Sequence, residues 1–323
     1  MLVIAIPSKG RLQEQTLEYL ADAGLHLVQS RGARDYKAKL SGVDNVTVSL
    51  LSAAEIADEL IAGRVHLGVT GEDLLAEHGA TGRAAVIERL GFGKANVIVA
   101  VPRSWIDVST MADLDDVAAS FHTRHHRKLR VATKFLNLAR EFFASHGIAD
   151  YRIIESLGAT EGAPAAGTAE VIVDITTTGA TLTANDLKIL DDGIILESQA
   201  SLTASLRANW TSETRKAAQA LFDRIAARVL AKSSQLLDIA ADKVTTQILA
   251  SLSAGHSVRL ISPPKAERLA MLVPDASLAG VIALLREKAP GAAFTVHKPG
   301  QIFAGENALY ARLEAVLSKN SVR

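Results

Sequence analysis

The run Val171-Ile172-Val173-Asp174-Ile175-Thr176-Thr177-Thr178-Gly179-Ala180-Thr181-Leu182 constrains this chain more than any other segment. A β-branched apolar stretch leads into a carboxylate, then into a turn rich in hydroxyls and glycine, then into an expected helix over 182–190. Such a turn gathers free backbone N–H groups and Thr hydroxyls at a helix N-terminus, where they can hold a phosphate. For any single Thr-Gly pair a capped βα turn is the plainer reading. The whole run favours phosphate.

Composition sets the surroundings of that turn. Hydrophobic residues make up 48% of the 323 residues but aromatics only 4%, so Ala, Leu, Val and Ile must fill the interior. The length allows two or three domains with a large buried core. A formal net charge of zero gives no general argument for a nucleic-acid partner. Without cysteine the chain has no disulfide, thiolate nucleophile or Cys-ligated metal. Leu2–Ile6 reads as a buried strand, too short for a secretion signal, and no apolar run has the length of a membrane span. A cytoplasmic enzyme is the expectation.

Strand-like and helical patterns alternate through the first 210 residues, as in a mostly parallel sheet. Strands are expected at 2–6, 46–51, 65–69, 86–90 and 96–101, with helices at 12–23 and 53–62. A second set follows, with strands at 129–132, 152–155 and 171–175 and helices at 111–120 and 134–146. Two more strands are expected at 194–201 and 202–209. The fold class is therefore α/β, with two lobes: residues 1–93 plus 184–224, and residues 94–183 carrying the Thr-Gly loop. The crossovers are placed near 91–96 and 182–195, with a ligand cleft between the lobes. A long helical region over 211–252 and short strands and helices beyond Gly255 make residues 225–323 a helical connection and a small α+β module.

Several turns repeat the strand-then-glycine logic. Ser8-Lys9-Gly10-Arg11 follows the first strand, where α/β sites lie, and offers two cations to phosphates. Arg31-Gly32-Ala33-Arg34-Asp35-Tyr36 is a charged loop whose arginines could meet a leaving pyrophosphate. Gly68-Val69-Thr70-Gly71-Glu72-Asp73 lets backbone approach a nucleotide closely, although acids at a helix start more commonly cap it. Arg130-Val131-Ala132-Thr133-Lys134 runs a strand into a helix, and Gly158-Ala159-Thr160-Glu161-Gly162 exposes a carboxylate one crossover before the Thr-Gly loop. The basic run over 123–128 reads as a solvated loop. Strand, acid, Thr-Thr-Gly-Ala-Thr and helix together fit a 5-phosphoribosyl pyrophosphate (PRPP) site.

Taken in order, these six motifs resemble the ATP phosphoribosyltransferase family over residues 1–210. The resemblance implies a two-lobed core like a periplasmic binding protein. It implies transfer of 5-phosphoribosyl from PRPP to N1 of ATP with release of pyrophosphate, the first step of histidine biosynthesis, with Mg2+. On the matching positions, Thr177, Thr178, Gly179, Ala180 and Thr181 would hold the 5-phosphate, and Glu161 and Asp174 the ribose side of PRPP. Lys9, Arg11 and Arg34 would meet nucleotide and pyrophosphate charge. Gly10, Gly71 and Asp73 would lie with Lys9 and Arg11 on the ATP side. A homo-oligomer is implied, and for short forms a regulatory subunit resembling histidyl-tRNA synthetase; long forms carry a ferredoxin-like regulatory module instead. This chain departs from the pattern at Ser52, where the family usually has Arg, and at Phe135-Leu136. A nucleobase phosphoribosyltransferase is disfavoured by the single acid in Val173-Asp174-Ile175. A non-catalytic paralogue that binds PRPP or nucleotide remains the other alternative.

Overall fold

The computed structural model describes residues 1–29, 37–263 and 266–320, so Arg31 and Arg34 lie outside the described residues. The first set of elements is β1 (Leu2–Pro7), α1 (Gly10–Asp22), β2 (His26–Gln29), β3 (Lys37–Ser41), β4 (Val46–Leu51), α2 (Ala53–Ala62), β5 (Leu67–Gly71), α3 (Glu72–Glu77) and β6 (Ala84–Arg89). The second runs through β7 (Asn96–Pro102), α4 (Met111–His125), β8 (Leu129–Thr133), α5 (Leu136–Ser145), β9 (Tyr151–Glu155), β10 (Val171–Thr176), α6 (Ala180–Ala184) and β11 (Leu187–Leu196). Then β12 (Ala200–Ser205) and α7 (Ser212–Lys232) return the chain to its starting layer.

Period-two alternation along β1 builds the first lobe from both sides. Leu2, Ile4 and Ile6 join Leu20 of α1 and Leu221 and Phe222 of α7 in one core. Ala5 faces the opposite way, onto Ile56, Ala57 and Leu60 of α2. Burying each large side chain of this kind contributes roughly 1.5–3 kcal/mol. Parallel pairing of β1 with β4 and β5 places their carboxyl ends side by side. The full sheet has the order β2-β3-β4-β1-β5-β12-β6.

The second lobe has the order β11-β7-β10-β8-β9. There Val171 and Val173 of β10 pack with Leu114, Phe135 and Phe143, while Ile172 meets Ala163, Leu182 and Leu187 on the other face. Two short crossovers, 90–95 and 197–199, join the lobes and are hydrogen-bonded to each other. Ala95 N–H donates to Ser198 O at 2.9 Å, Ala200 N–H to Phe92 O at 3.0 Å, and Leu90 N–H to Ala200 O at 2.9 Å.

Beyond α7 come β13 (Ser234–Ala240), α8 (Thr246–His256), β14 (Arg259–Leu260), β15 (Arg268–Pro274), α9 (Leu278–Lys288), β16 (Phe294–His297) and α10 (Ala308–Asn320). The order β14-β15-β13-β16, antiparallel throughout, with two helices in β-α-β-β-α-β succession, is the ferredoxin-like topology. Helix α10 leaves this module and inserts Leu309, Leu313 and Leu317 into the first lobe's core.

The chain is thus a two-lobed α/β core with a small C-terminal α+β module, and it differs from the sequence reading in detail. The helix expected over 182–190 is only the five residues of α6, because Asp186 turns left-handed (φ 54°) and the chain then pairs with β7 as β11. The strands expected at 194–201 and 202–209 are β11 and β12, and the return crossover is 197–199. Residues 184–196 therefore stay with the second sheet. The helical region over 211–252 is interrupted by β13, whose Leu237 and Ile239 alternate into the tail's own core. Residues 225–232 finish α7. The basic run over 123–128 is exposed, as expected, but Thr123–His125 belong to the end of α4 rather than a loop, and Arg127 pairs with Glu170 at 3.0 Å.

Glu170 ties together the amino ends of β8 and β10, opposite the Thr-Gly loop. Its carboxylate accepts from Arg130 N–H at 2.8 Å, from Arg130 Nη2 at 2.6 Å and from Arg127 Nη2 at 3.0 Å. Burial pushes Glu170 up, but the Arg130 and Arg127 bonds outweigh it and bring the group from 4.5 down to about 2. A depressed carboxylate contributes stability that is present above its unfolded value and lost on acidification. Unfolding free energy should therefore fall between pH 4.5 and about 2, by on the order of 2 kcal/mol from this group. Glu170→Gln should flatten that segment of the curve, read by urea denaturation at a series of pH values.

Candidate functional site

Three carboxyl strand ends, those of β1, β5 and β10, face the junction of the lobes, the usual place for a ligand in an α/β sheet. Lys9 closes β1 in an extended conformation (φ −162°) as the N-cap of α1 and makes no capping bond of its own. Gly10 follows at φ 74°, a left-handed turn that a side chain would strain. Lys9, Gly10 and Arg11 are all exposed.

At the end of β5, Thr70 donates to Ala53 O at 2.7 Å. Gly71 then makes room for Asp73, whose Oδ1 would lie 2.2 Å from a Cβ on Gly71. Asp73 is only 8% exposed. It accepts from Ser198 Oγ at 2.8 Å while its own N–H donates back to that oxygen at 3.0 Å. Asp73 thereby bolts α3 to the second crossover, so that oxygen is already committed.

At the end of β10, Asp174 is half-buried, with Ile175 N–H donating to its Oδ1 at 2.8 Å. Burial raises its pKa; the Ile175 N–H and the Lys134 ammonium pull it back, and Glu161 pushes it up again. Asp174, Lys134 and Glu161 therefore share one electrostatic neighbourhood. Glu161 sits in a short 3-10 turn, Thr160–Gly162, launched by Ala159 at φ 49°. Carboxylates at such a strand end can accept ribose hydroxyls or approach a substrate-borne cation.

The Thr-Gly loop is preshaped by its own hydroxyls. Gly179, at φ 74°, donates its N–H to Thr176 Oγ1 at 2.9 Å. Ala180 N–H reaches Thr178 Oγ1 at 3.4 Å, a long bond that an incoming oxygen could replace. Thr177 donates to Lys94 O at 2.9 Å, which fastens the loop to the first crossover. Thr177, Thr178, Ala180 and Thr181 are exposed.

A cleft of about 530 Å³ runs past the crossovers, bordered by Arg11, Gly71, Asp73, Lys94, Ile175 and Thr177. It gathers Arg11, Gly71, Asp73 and Thr177 from the expected set. Lys9, Gly10, Glu161, Asp174, Thr178, Gly179, Ala180 and Thr181 do not line it. A second cavity of about 550 Å³, between α7 and the tail, is bordered by Asp223, Arg259, Phe303 and Arg312 and holds none of the expected residues.

Ser52 has a local role that arginine could not fill. Its hydroxyl accepts Glu55 N–H at 3.3 Å and its N–H donates to Glu55 Oε2 at 2.8 Å, a reciprocal cap on α2. These bonds, with Lys9 nearby, hold the Glu55 carboxyl below its ordinary value. Lys134, which the sequence placed only at a strand–helix junction, is the cation whose charge acts on Asp174. Glu77 and Asn137, which join the lobes, carried no sequence signal because their partners are sixty residues apart. Among the described residues no group of three or more His, Asp or Glu side chains could hold a metal ion, and no helix is long and apolar enough to cross a membrane.

A methyl group at position 71 must displace the Asp73 carboxylate from Ser198. Gly71→Ala should therefore cost roughly 1–3 kcal/mol of unfolding free energy by orphaning buried polar groups, and Ser198→Ala should cost a similar amount. Combined, the two should cost much less than the sum, read by denaturant titration as a double-mutant cycle.

Residues 52–227 match the family model described as ATP phosphoribosyltransferase. The chain is 50% identical over 319 residues to the ATP phosphoribosyltransferase of Afipia carboxidovorans, with 98% of each chain covered. The corresponding protein of Rhodopseudomonas palustris (strain BisA53) is 51% identical over 319 residues, again with 98% of each covered. A solved chain of the ATP phosphoribosyl transferase (HisG:HisZ) complex from Thermotoga maritima shares the fold. Its TM-score is 0.56 and its identity 24%, over 72% of this chain and 100% of that one. A family match over more than half the sequence and relatives similar along nearly all of it establish that the chain belongs to the ATP phosphoribosyltransferase family.

Proposed function

We propose that this ATP phosphoribosyltransferase of the histidine pathway holds PRPP against the Thr177–Thr181 loop and Asp174. ATP enters from the Arg11–Gly71 side of the same lobe junction. The observation that carries this assignment is the convergence on one junction of a hydroxyl-lined loop, the Asp174–Lys134–Glu161 group and the cleft bordered by Arg11 and Thr177. In the reaction adenine N1 supplies an electron pair to ribose C1, and the C1–oxygen bond breaks with its pair going to pyrophosphate. No protein nucleophile is required.

Each group has a physical part. The loop hydroxyls and amides bind the 5-phosphate and so fix C1. Asp174, ionised, faces the positive charge that develops on the ribose ring. Lys9, Arg11 and Arg34 meet negative charge on the nucleotide and on the departing pyrophosphate, which acts on the transition state more than on the ground state. Asp174 and Glu161 fit a Mg2+ carried mainly by substrate phosphates, since such ions take only one or two protein carboxylates. That ion would supply charge neutralisation at the phosphates.

The ferredoxin-like module supports the long form of the family, with regulation carried in the chain rather than by a separate synthetase-like subunit. The family pattern also favours a homo-oligomer. Val173 and Ile175 flank Asp174 with apolar groups, which weighs against the paired acids of nucleobase enzymes.

Pyrophosphate release on mixing ATP, PRPP and Mg2+ tests the assignment. Asp174→Asn, which keeps the shape and removes the charge, should lower kcat by about 10²-fold. An unchanged kcat would remove Asp174 from the site. Because burial holds Asp174 above the ordinary 3.8, activity should begin to fall on acidification at a higher pH than a solvated aspartate would produce. The profile of kcat against pH reads this.

A further inference from the structure

Helix α3 is held at both ends by different parts of the molecule. At its start, Glu72 N–H donates to Gln199 O at 3.1 Å and Asp73 exchanges two bonds with Ser198, so this end is fixed to the second crossover. At its far end, Glu77 reaches across to the other lobe. The Glu77 carboxylate accepts Asn137 N–H at 3.0 Å on Oε1 and 3.1 Å on Oε2, and Leu138 N–H at 3.0 Å on Oε2. Asn137 Nδ2 closes the ring by donating to Glu77 O at 2.9 Å.

Helix α5 has no side-chain cap of its own, because its N-cap residue is Phe135. Glu77, only 8% exposed, supplies that cap from the opposite lobe. The charge sign is favourable, since a carboxylate stabilises the positive end of a helix. The turn so clamped directly follows Lys134, whose charge acts on Asp174.

We infer that Glu77 is a positioning residue for phosphoribosyl transfer: α3 is a strut between crossover and second lobe, and its Glu77 bond to α5 sets the angle at which the lobes present ATP and PRPP. The inference rests on the two-substrate reading above. A strut matters there because alignment supplies most of the rate and a displacement near 1 Å can cost about 10²-fold.

The chain has no cysteine, so nitroxide labels on Glu18→Cys and Ala119→Cys, both exposed helix positions in opposite lobes, report the interlobe distance directly. In the full-length labelled protein, Glu77→Ala should broaden that distance distribution. It should also lower kcat by about 10- to 100-fold, with the KM for each substrate changed far less. Glu77→Gln, which keeps one acceptor, should restore part of both. If Glu77→Ala does not fold, Glu77→Gln and Asn137→Ala give the same two readings. An unchanged distance distribution, or a broadened one with unchanged kcat, overturns the inference. If the parent protein does not turn over ATP and PRPP, the functional reading fails while the distance measurement still decides whether Glu77 holds the lobes.

Discussion

The hydrogen-bonded junction between the two crossovers is the constraint on which the rest of the molecule depends. Each crossover is only a few residues long, and the first is tied to the second by the Ala95–Ser198 bond and to the start of β12 by the Ala200–Phe92 and Leu90–Ala200 bonds. The buried Asp73–Ser198 exchange then extends the junction into the first lobe's chemistry-bearing edge. The Thr177–Lys94 bond extends it into the second lobe's loop. A buried pair of this kind contributes modestly while intact and costs far more when one partner is lost. Such asymmetry suits a hinge, since it resists loss of register without adding much net stability.

Stability and chemistry are separated along the strands of the second lobe. The amino ends of β8 and β10 carry Glu170 between two arginines, so that its carboxylate is fully engaged. At the carboxyl end of β10, burial and the Glu161 charge raise Asp174 against the pull of the Ile175 N–H and the Lys134 ammonium. One sheet therefore holds one carboxylate pushed down and another pushed up. Perturbation of the second kind, with exposed hydroxyls beside it, marks β10's carboxyl end as the candidate site.

Legibility in the sequence followed how local each cause was. Helix α2 runs over 53–62 as expected, because its cap, its apolar stripe and its closing glycine are all contiguous. Strand β10 was equally plain from its β-branched run. Strands β11 and β13 were hidden because their apolar residues, such as Leu187 with Leu190 and Leu236 with Ile239, fit helical spacing until a neighbouring strand is present. At the site, the Thr-Gly loop and Gly71 were visible through turn chemistry. The engagement of Asp73 by Ser198 spans 125 residues, so no local pattern announces it, and the same holds for Glu77 and Asn137.

Ser52 sharpens what the arrangement asks of the reaction. An arginine there could meet leaving-group charge but could not close the cap with Glu55, so this chain keeps the helix start and gives up a cation at that position. Lys9 and Arg11 remain on the first lobe and Lys134 on the second. On the proposed reading, charge on the transferring group is met from both sides of the junction rather than from one arginine on a single lobe. Cations shared across a cleft act together only when the cleft is held at one width, because a displacement near 1 Å is enough to misalign the groups they serve. On that reading the interlobe bonds serve catalysis as much as shape. That is the physical reason for a strut reaching from the crossover to α5.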